Sequence, residues 1–320
     1  MLVCISGTLS SGKTEVARYL TFQGFKVIGL GPESAVLTEG DLDVHNYATF
    51  DVLVDDVTAN WHSKYVILHM DDMEMVQKLQ KRPFFLHVSI DAPVRLRYER
   101  HCLKRKEDAT SFEEFVRQSD ERLFEAQNPL ILVINMADVK VVNTSASLKS
   151  LYVKLSELDL TNPERLRPTW DAYFMRLADL AALRSNCMKR RVGCVVVRDN
   201  RVVATGYNGT PRHLTNCNEG GCARCNQGNG SGAALSTCLC LHAEENALLE
   251  AGRDRIAGDR SILYCNTCPC LTCSIKIVQS GIKQVVYAQS YSMDEQAHRV
   301  MNEAGIVLRQ YVAPKQGIFI

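Results

Sequence analysis

Two short segments carry the most specific pattern in this sequence, and they read His242-Ala243-Glu244 and Pro269-Cys270-Leu271-Thr272-Cys273. One imidazole and two thiolates form a ligand set that is typical of zinc in proteins. Three protein ligands also leave the fourth position of a tetrahedral ion open to water, as a catalytic zinc site requires. We therefore predict that His242, Cys270 and Cys273 hold a catalytic zinc ion.

Glu244 follows the predicted histidine ligand by two residues, so its carboxylate can face the open zinc position without binding the metal. Such a carboxylate can take a proton from the water that zinc activates and pass it to a leaving nitrogen. This spacing is typical of zinc-dependent nucleobase deaminases. A closed structural zinc site is the alternative, with Cys265 or Cys268 as its fourth ligand and Glu244 on a helix surface.

The length of 320 residues exceeds what one hydrophobic core usually supports, and it predicts two domains. The formal net charge of +1 leaves no field that would attract a nucleic acid polymer or an anionic membrane. We find no apolar run of membrane-spanning length and no basic N-terminal segment of a secretory signal. These features predict a cytoplasmic or nuclear enzyme with neither a nucleic acid polymer nor a membrane as its partner.

The N-terminal segment Gly7-Thr8-Leu9-Ser10-Ser11-Gly12-Lys13-Thr14 satisfies the phosphate-loop pattern G-x-x-x-x-G-K-[ST]. It lies between a predicted strand and a predicted helix, which is the context that a phosphate loop needs. Gly7 and Gly12 belong to a turn whose backbone N–H groups would cradle phosphates. Lys13 would reach the outer phosphates, and Thr14 would hold Mg²⁺.

The first half of the chain alternates apolar runs with polar, helix-like stretches, which predicts a parallel sheet wrapped by helices. After the first strand, these apolar runs are at residues 51–54, 65–68, 84–90 and 139–142. The Pro-containing stretch 159–168 predicts a linker between a domain at 1–158 and a domain at 169–320. In the second domain, helices alternate with strands, and the first two strands are joined by a turn at Asp199-Asn200. We predict an α/β fold for both domains.

Thirteen cysteines in 320 residues are too few for a disulfide scaffold, but nine of them fall between Cys217 and Cys273. Four cysteines with knuckle-like spacing occupy the long loop before His242, namely Cys217, Cys222, Cys225 and Cys238. A second, structural zinc ion on these four would replace the hydrophobic core that such a loop lacks. Cys187 and Cys240 compete for places in this ligand set. Unliganded cysteines that pack as small apolar side chains are the alternative.

Further motifs surround the zinc pattern, and they read Arg184-Ser185-Asn186-Cys187, Arg190-Arg191-Val192-Gly193-Cys194-Val195-Val196-Val197 and Gly206-Tyr207-Asn208-Gly209-Thr210-Pro211-Arg212. With the zinc pattern included, residues 169–312 resemble the deoxycytidylate (dCMP) deaminase family, of the type found in fungi. The Gly-Tyr-Asn-Gly-Thr-Pro stretch separates this family from free-nucleoside cytidine deaminases and from tRNA adenosine deaminases. The resemblance implies hydrolytic deamination of dCMP to dUMP, which feeds dTMP synthesis.

The same resemblance implies an αβα sandwich around a five-stranded mixed sheet, and a homo-oligomer that is usually a hexamer. It also implies activation by dCTP and inhibition by dTTP, with Mg²⁺ accompanying the nucleotide. Asn208 would hydrogen-bond the sugar of the substrate, although it could equally form a turn. The substrate phosphate needs positive charge, and the nearby cations are Lys189, Arg190, Arg191 and Arg212. A solvated basic turn is the alternative for these four.

The first domain resembles the nucleoside monophosphate kinase and dephospho-CoA kinase group through its phosphate loop and the segment Ile90-Asp91-Ala92-Pro93-x-x-x-Arg97. It lacks the Asp-Arg substrate motif of that group and a convincing catalytic base. We therefore expect a kinase-like domain that binds a nucleotide such as ATP and regulates the deaminase, without phosphoryl transfer. A kinase with a deaminase-like sensor domain and a deaminase of polynucleotides are the other functions considered. The intact Glu244 argues against the first, and the near-zero net charge argues against the second.

Overall fold

The structure is a computed structural model, and it describes residues 1–31, 42–104, 110–125, 127–228, 234–290 and 295–319. The chain forms two compact units, of which the first contains Met1–Arg167 and Pro314–Ile320 and the second contains Pro168–Ala313. The boundary between Arg167 and Pro168 lies inside the predicted linker. The second unit ends at Ala313 instead of at residue 320, because the last strand of the chain joins the sheet of the first unit.

Strands and helices alternate in both units. Up to residue 167 the elements are β1 Leu2–Gly7, α1 Lys13–Thr21, β2 Lys26–Leu30, β3 Val44–Tyr47, α2 Phe50–Ala59, β4 Tyr65–Leu68, α3 Met73–Gln80, β5 Phe85–Asp91, α4 Val94–Lys104, α5 Phe112–Asp120, α6 Leu130–Asn135, β6 Val139–Val142 and α7 Leu148–Leu158. From residue 168 onward they are α8 Trp170–Ala182, β7 Gly193–Arg198, β8 Arg201–Tyr207, α9 Ala223–Asn226, α10 Ala243–Ala251, α11 Arg253–Ile256, β9 Gly258–Thr267, α12 Leu271–Ser280, β10 Ile282–Gln289, α13 Glu295–Glu303, β11 Val307–Gln310 and β12 Gly317–Phe319. Among the helices described here, none is both long and apolar enough to cross a lipid bilayer.

The first unit is built on a parallel sheet, as the sequence predicts. Its seven strands lie in the order β3-β2-β4-β1-β5-β6-β12, and all neighbouring pairs are parallel. β1 lies at the centre of this order and is buried along its whole length. The loop that carries the predicted phosphate-binding residues therefore starts from the carboxyl end of a central strand.

The apolar run at residues 51–54 lies in helix α2, so the strand predicted there is wrong. Phe50, Leu53 and Val57 are the buried residues of this helix, and their spacing follows a helical period. Thr49 caps the helix, because its Oγ1 accepts a hydrogen bond from the backbone N–H of Val52 at 3.4 Å. A window of four residues, of which three are apolar, is too short to distinguish this period from that of a strand.

The second unit contains the mixed five-stranded sheet that the resemblance implies. Its strands lie in the order β11-β10-β9-β7-β8. β7 is antiparallel to β8 and to β9, whereas β9, β10 and β11 run parallel to one another. Asp199 and Asn200 make the turn between β7 and β8 with φ values of 53° and 58°, which suits a two-residue hairpin of type I′.

Helices cover both faces of this mixed sheet. Successive residues of a strand point to opposite faces, so β7 supplies two apolar clusters. Val196 packs in a cluster with Ala247 of α10 on one face, and Val195 packs in a cluster with Phe174 of α8 on the other. The helix that carries the predicted catalytic carboxyl group, α10, is therefore held against a buried strand.

Candidate active site

The three predicted zinc ligands come together at the starts of two helices. His242 directly precedes α10, and Cys270 directly precedes α12, whose first turn carries Cys273. Nδ1 of His242 lies 3.4 Å from Sγ of Cys270 and 3.3 Å from Sγ of Cys273. The three ligand atoms all lie within 4.8 Å of one another, so one zinc ion can bind all of them.

The charge of one of these ligands, Cys270, also suits a cation, whereas the hydrogen bond to Cys270 and burial raise the pKa of Cys273. A hydrogen bond from the Cys273 thiol, assisted by the His242 imidazole, lowers the pKa of Cys270 to about 4. The hydrogen bond with Cys270 in turn raises the pKa of His242 above its ordinary value. Cys270 therefore provides a thiolate at neutral pH, and a thiolate is the form of cysteine that binds zinc.

Glu244 lies in the first turn of α10 and is 3% exposed. Burial raises the pKa of its carboxyl group to about 7, because desolvation disfavours the charged form. A carboxyl group with a pKa near neutrality can both accept and release a proton under working conditions. The burial also argues against the alternative in which Glu244 is an acid on a helix surface.

The ligand set is open, as a catalytic site requires. Among the described residues, only the three predicted ligands belong to this set of His, Cys, Asp and Glu side chains. Cys268 lies instead beside His298, with 3.8 Å between Sγ and Nε2. Cys265 is buried in the apolar cluster between β7 and α10. The alternative of a closed zinc site with one of these cysteines as fourth ligand is therefore not supported.

A glycine on β8 lets the helix of the site approach the sheet. A Cβ atom at Gly206 would collide with the backbone oxygen of Ala243 and the backbone nitrogen of Ala247, both in α10. The side chain of Asn246 adds a hydrogen bond of 3.0 Å to the backbone oxygen of Tyr207. The backbone of β8 thus sets the depth at which Glu244 is buried.

Comparisons with known proteins agree with this geometry. Residues 168–289 match the family described as the cytidine and deoxycytidylate deaminase zinc-binding region. The chain is 49% identical over 323 residues to deoxycytidylate deaminase of Schizosaccharomyces pombe, and 99% of each chain is covered. The chain belongs to the deoxycytidylate deaminase family.

Two further similar proteins are also named as deaminases of deoxycytidylate (dCMP). Deoxycytidylate deaminase of Saccharomyces cerevisiae is 49% identical over 268 residues, which cover 81% of this chain and 85% of that one. A crystal structure of the dCMP deaminase from cyanophage S-TIM5 in complex with dCMP and dUMP is 32% identical. That comparison covers 43% of this chain and 94% of the phage chain, with a TM-score of 0.36.

Asn208, which is predicted to hydrogen-bond the substrate's sugar, is buried, and its side chain makes hydrogen bonds with other residues of the chain. Its Oδ1 accepts hydrogen bonds from Ser185 Oγ at 2.7 Å and from the backbone N–H of Val192 at 2.8 Å. Its Nδ2 donates to the backbone oxygen of Arg190 at 2.8 Å. The Asn208 side chain therefore holds the loop between α8 and β7 in place, and its role toward the sugar stays a prediction.

The predicted phosphate-binding arginines have different surroundings. Arg190 is half-buried, and its Nη2 donates a hydrogen bond of 2.8 Å to Oε1 of Gln289. The backbone oxygen of Gln289 accepts a hydrogen bond from the N–H of Cys268, two residues before the predicted zinc ligand Cys270. Arg191 and Arg212 are exposed, and Arg212 lies 3.6 Å from a carboxylate oxygen of Glu250. Arg190 is therefore connected through Gln289 to the segment that leads into Cys270, whereas Arg212 contacts an exposed residue of α10.

The predicted second zinc quartet does not form a single set in the structure. Six cysteines lie together, and we call them the six-cysteine cluster: Cys187, Cys217, Cys222, Cys225, Cys238 and Cys240. Their sulfur atoms form two overlapping sets of four, and Cys217 and Cys222 fall in different sets. The spacing of the cysteines along the chain could not predict two sets. Cys187 and Cys240, which the sequence offered only as alternative ligands, both belong to the cluster.

The first unit presents the predicted phosphate loop at the edge of a cavity of about 1150 Å³, whose lining includes Gly12, Lys13 and Thr14. Gly7 lies beneath the loop against the backbone of Ile90, and Gly12 has a φ of 107°, which favours glycine. Nζ of Lys13 donates hydrogen bonds to the backbone oxygens of residues 7 and 8 at 2.9 and 2.7 Å. Burial lowers the pKa of Lys13 to about 8.

Sequence reasoning missed a pair of charged residues that fixes His242. Oε2 of Glu245 accepts a hydrogen bond of 2.8 Å from the backbone N–H of His242, and Glu245 also forms an ion pair with Lys276 of α12. The two helices that carry the zinc ligands are thereby joined. A glutamate three residues after a helix-capping residue was the available signal.

Proposed function

We propose that this chain hydrolyses dCMP to dUMP and ammonia, and so supplies dUMP for dTMP synthesis. The observation that carries the proposal is an open set of three zinc ligands beside a buried carboxyl group. His242, Cys270 and Cys273 would hold the zinc ion, which supplies Lewis-acid activation of a water molecule at neutral pH. The identity to deoxycytidylate deaminases over the whole chain supports the choice of substrate.

The chain's own residues handle the proton in this reaction. Glu244 takes the proton that the attacking water loses and delivers it to the amino nitrogen that leaves the pyrimidine as ammonia. Its burial keeps bulk water away from the proton, and its pKa of about 7 places both steps within reach at neutral pH. The ion pair between Glu245 and Lys276 joins the two helices that carry the zinc ligands, and Glu245 also accepts a hydrogen bond from the backbone N–H of His242.

We predict that Glu244→Gln lowers the turnover of dCMP by at least roughly 10²-fold, because general acid-base catalysis contributes on that order or more. The zinc content should not change, since Glu244 is not a ligand. The rate is measured from the fall in ultraviolet absorbance on deamination, with CMP and deoxycytidine compared as substrates. Among these three, dCMP is expected to react fastest by a wide margin.

Glu250→Gln is the matched control, because Glu250 lies on the same helix but faces solvent. It should retain the turnover of the unchanged chain. Full turnover in Glu244→Gln would overturn the role assigned to Glu244, and loss of zinc in that variant would indicate a ligand instead of a proton carrier.

For the first unit we propose a kinase-like domain that binds the phosphates of a nucleotide such as ATP, together with Mg²⁺ at Thr14. The cavity beside the loop and the buried Lys13 support this proposal. We further propose that dCTP activates and dTTP inhibits the deaminase. Phosphorylation of dCMP or dephospho-CoA by the purified chain would contradict a purely regulatory first unit.

The remaining proposals concern the assembled protein in the cell. We propose a homo-hexamer, which light scattering on the purified chain can test, with a monomer as the contradicting result.

All thirteen cysteines are free, which suits a reducing compartment such as the cytoplasm or the nucleus. Microscopy of a tagged chain tests the compartment.

A further inference from the structure

The six-cysteine cluster has more ligands than one zinc ion can use. One set of four sulfur atoms contains Cys187 and Cys217, and the other contains Cys222 and Cys238. Both sets contain Cys225 and Cys240, and within each set all sulfur atoms lie within 4.8 Å of one another. Two shared ligands and two pairs of unshared ones are what a pair of tetrahedral ions with bridging thiolates requires.

The sulfur–sulfur distances match the edges of such tetrahedra. A zinc–sulfur bond of about 2.3 Å gives an edge of roughly 3.8 Å between two sulfur ligands of one tetrahedral ion. The distance from Cys187 to Cys225 is 3.8 Å, and Cys225 lies 3.9 Å from Cys238 and 3.9 Å from Cys240. Cys222 and Cys238 are also 3.9 Å apart. A disulfide would instead need about 2.05 Å, and all six residues are free.

The composition of the cluster argues against simple apolar packing. Among the described residues, the cluster contains cysteines alone, with no aliphatic or aromatic side chain among them. Cysteines that act as small apolar side chains mix with larger ones, as Cys194 and Cys265 do in the core between the sheet and α10. Six thiols that lie together without a larger apolar side chain among them therefore indicate a metal-binding group.

We propose that the six-cysteine cluster binds two zinc ions, with Cys225 and Cys240 as bridging thiolates. Cys187 and Cys217 complete the ligands of the first ion, and Cys222 and Cys238 complete those of the second. The six thiols lose their protons as the ions bind, and no redox change is involved. This site is separate from the catalytic set, and the inference does not depend on the proposed reaction.

Groups around the cluster can stabilise its negative charge, since six thiolates exceed the charge of two zinc ions. The backbone N–H groups of Met188 and Leu239 donate hydrogen bonds of 3.4 Å to Cys217 and Cys222. A guanidinium nitrogen of Arg224 lies 3.8 Å from Cys238, and this arginine is 9% exposed. Donors of this kind orient metal-bound thiolates.

A single ion would leave the cluster incomplete. If one zinc bound Cys187, Cys217, Cys225 and Cys240, the thiols of Cys222 and Cys238 would remain unliganded, although each lies 3.9 Å from another sulfur atom. If one zinc ion instead bound Cys222, Cys225, Cys238 and Cys240, the thiols of Cys187 and Cys217 would remain unliganded. Two ions use all six residues.

The proposed cluster would connect segments that border the active site. Cys187 lies in the loop that Asn208 holds, three residues before Arg190. Cys240 lies two residues before His242, and Leu241 between them pairs with Gly209. The two zinc ions would therefore fix the approach of the chain to the first zinc ligand, as a metal can where a loop has no core of its own.

The first test is the zinc content of the full-length chain, purified under reducing conditions and measured by mass spectrometry. We expect three zinc ions per chain, two in the cluster and one in the catalytic set. Cys270→Ser removes only the catalytic ion, so two should remain. Fewer than two zinc ions in Cys270→Ser, or iron in place of zinc, would overturn the proposal.

Two variants distinguish bridging from terminal ligands. Cys225→Ser should lose both ions of the cluster and keep one zinc per chain, whereas Cys238→Ser should lose only one ion and keep two. Cys102→Ser is the matched control and should keep three, because Cys102 is exposed and lies outside both metal sets. Equal losses in Cys225→Ser and Cys238→Ser would contradict the bridge.

If a variant fails to fold, the unchanged chain still decides between one ion and two. Replacement of zinc with ¹¹³Cd gives one resonance for each bound ion, and two ions joined by thiolates are coupled to each other. We expect two coupled resonances from the cluster besides that of the catalytic set. A single cluster resonance, or two uncoupled ones, would contradict the shared ligands.

Discussion

Arg190 and Arg212 belong to the same predicted phosphate-binding group, yet only one of them has surroundings that suit the role. Arg212 is exposed and pairs with Glu250 on the outside of α10, and such surface pairs contribute little to stability or binding. Arg190 is half-buried against Gln289, whose backbone bonds to the segment that leads to Cys270. The position of Arg190 favours it as the ligand of the substrate phosphate.

We predict that Arg190→Gln raises the KM for dCMP by about tenfold or more, because a charge-assisted hydrogen bond contributes roughly 1.5–3 kcal/mol. Arg212→Gln should leave KM within about twofold. Initial rates over a range of dCMP concentrations provide both values. Deoxycytidine is the control substrate, since it has no phosphate. Its rate of deamination should be the same in Arg190→Gln as in the unchanged chain. Equal changes in the two variants would contradict the assignment.

At the scale of residues, the sequence was informative where chemistry restricts spacing. The grouping of His242, Cys270 and Cys273 could be predicted because their spacing along the chain is typical of the zinc site of nucleobase deaminases. Charged residues carry no such restriction, since most arginines are solvated wherever they occur. The arginines could therefore be named only as a group, and their contact with the substrate phosphate stays a prediction.

Between elements, the contact of α10 with β8 controls the site, and Gly206→Ala tests it. The added methyl group would collide with backbone atoms of α10, which cannot rotate away as a side chain can. We predict a loss of stability of about 3 kcal/mol or more, the upper range for overpacking, and loss of most deaminase activity as Glu244 moves. Urea unfolding and the rate with dCMP measure the two effects.

Thr205→Ala is the neighbouring control, because Thr205 is exposed on the same strand and a smaller side chain meets no obstacle. It should retain both stability and activity. Normal activity in Gly206→Ala would show that α10 can shift without displacing the carboxyl group, and it would contradict the prediction.

In the first unit, a buried histidine on β5 predicts a dependence of stability on pH. His87 is fully buried, its Nε2 lies 2.7 Å from Ser6 Oγ, and burial lowers its pKa from 6.5 to about 4. Between these values the unfolded chain binds a proton that the folded chain does not, so stability falls as the pH is lowered. From pH 7.5 to 5.5 we expect this group to reduce the free energy of unfolding by about 1 kcal/mol.

The measurement can be restricted to the first unit, because the chain has two tryptophans and only Trp61 belongs to that unit. In a Trp170→Phe background, urea unfolding followed by fluorescence reports on Trp61. His87→Gln should flatten the pH dependence, whereas His45→Gln, an exposed site whose ring contacts Tyr47 and not Trp61, should leave it unchanged. His69, whose pKa burial also lowers to about 4, contributes with the same sign in every variant. A slope unaffected by His87→Gln would refute the explanation.

For the elements, periodicity predicted the parallel sheet of the first unit but not the position of every strand. The mixed sheet was implied by the family resemblance, and the turn at Asp199 and Asn200 followed from residues that tolerate positive φ. Residues 51–54 were misassigned because a short apolar run fits both periods. The pairing of Gly317–Phe319 with Val139–Val142 could not be predicted, since a contact so distant along the chain leaves no local signal.

At the scale of the whole molecule, the chain combines two units with separate apolar cores. The clusters around Val3 and Leu53 belong to the first unit, and the clusters around Val196 and Val195 belong to the second. The proposed phosphate loop and the deaminase site each depend on their own sheet. A change in one site should therefore leave the chemistry of the other intact unless a nucleotide couples them.

We predict that Lys13→Ala in the full-length chain weakens binding of Mg·ATP by about tenfold or more, because Lys13 would supply the positive charge within the proposed phosphate loop. Zinc content and the rate with dCMP in the absence of nucleotide should stay unchanged, since Lys13 belongs to the other core. Calorimetric titration measures the binding. Lys26→Ala is the control, because Lys26 is an exposed lysine of the same unit. Equal affinities in the two variants would show that the loop is not the nucleotide site, and a lower basal rate in Lys13→Ala alone would show that the units are coupled without a ligand.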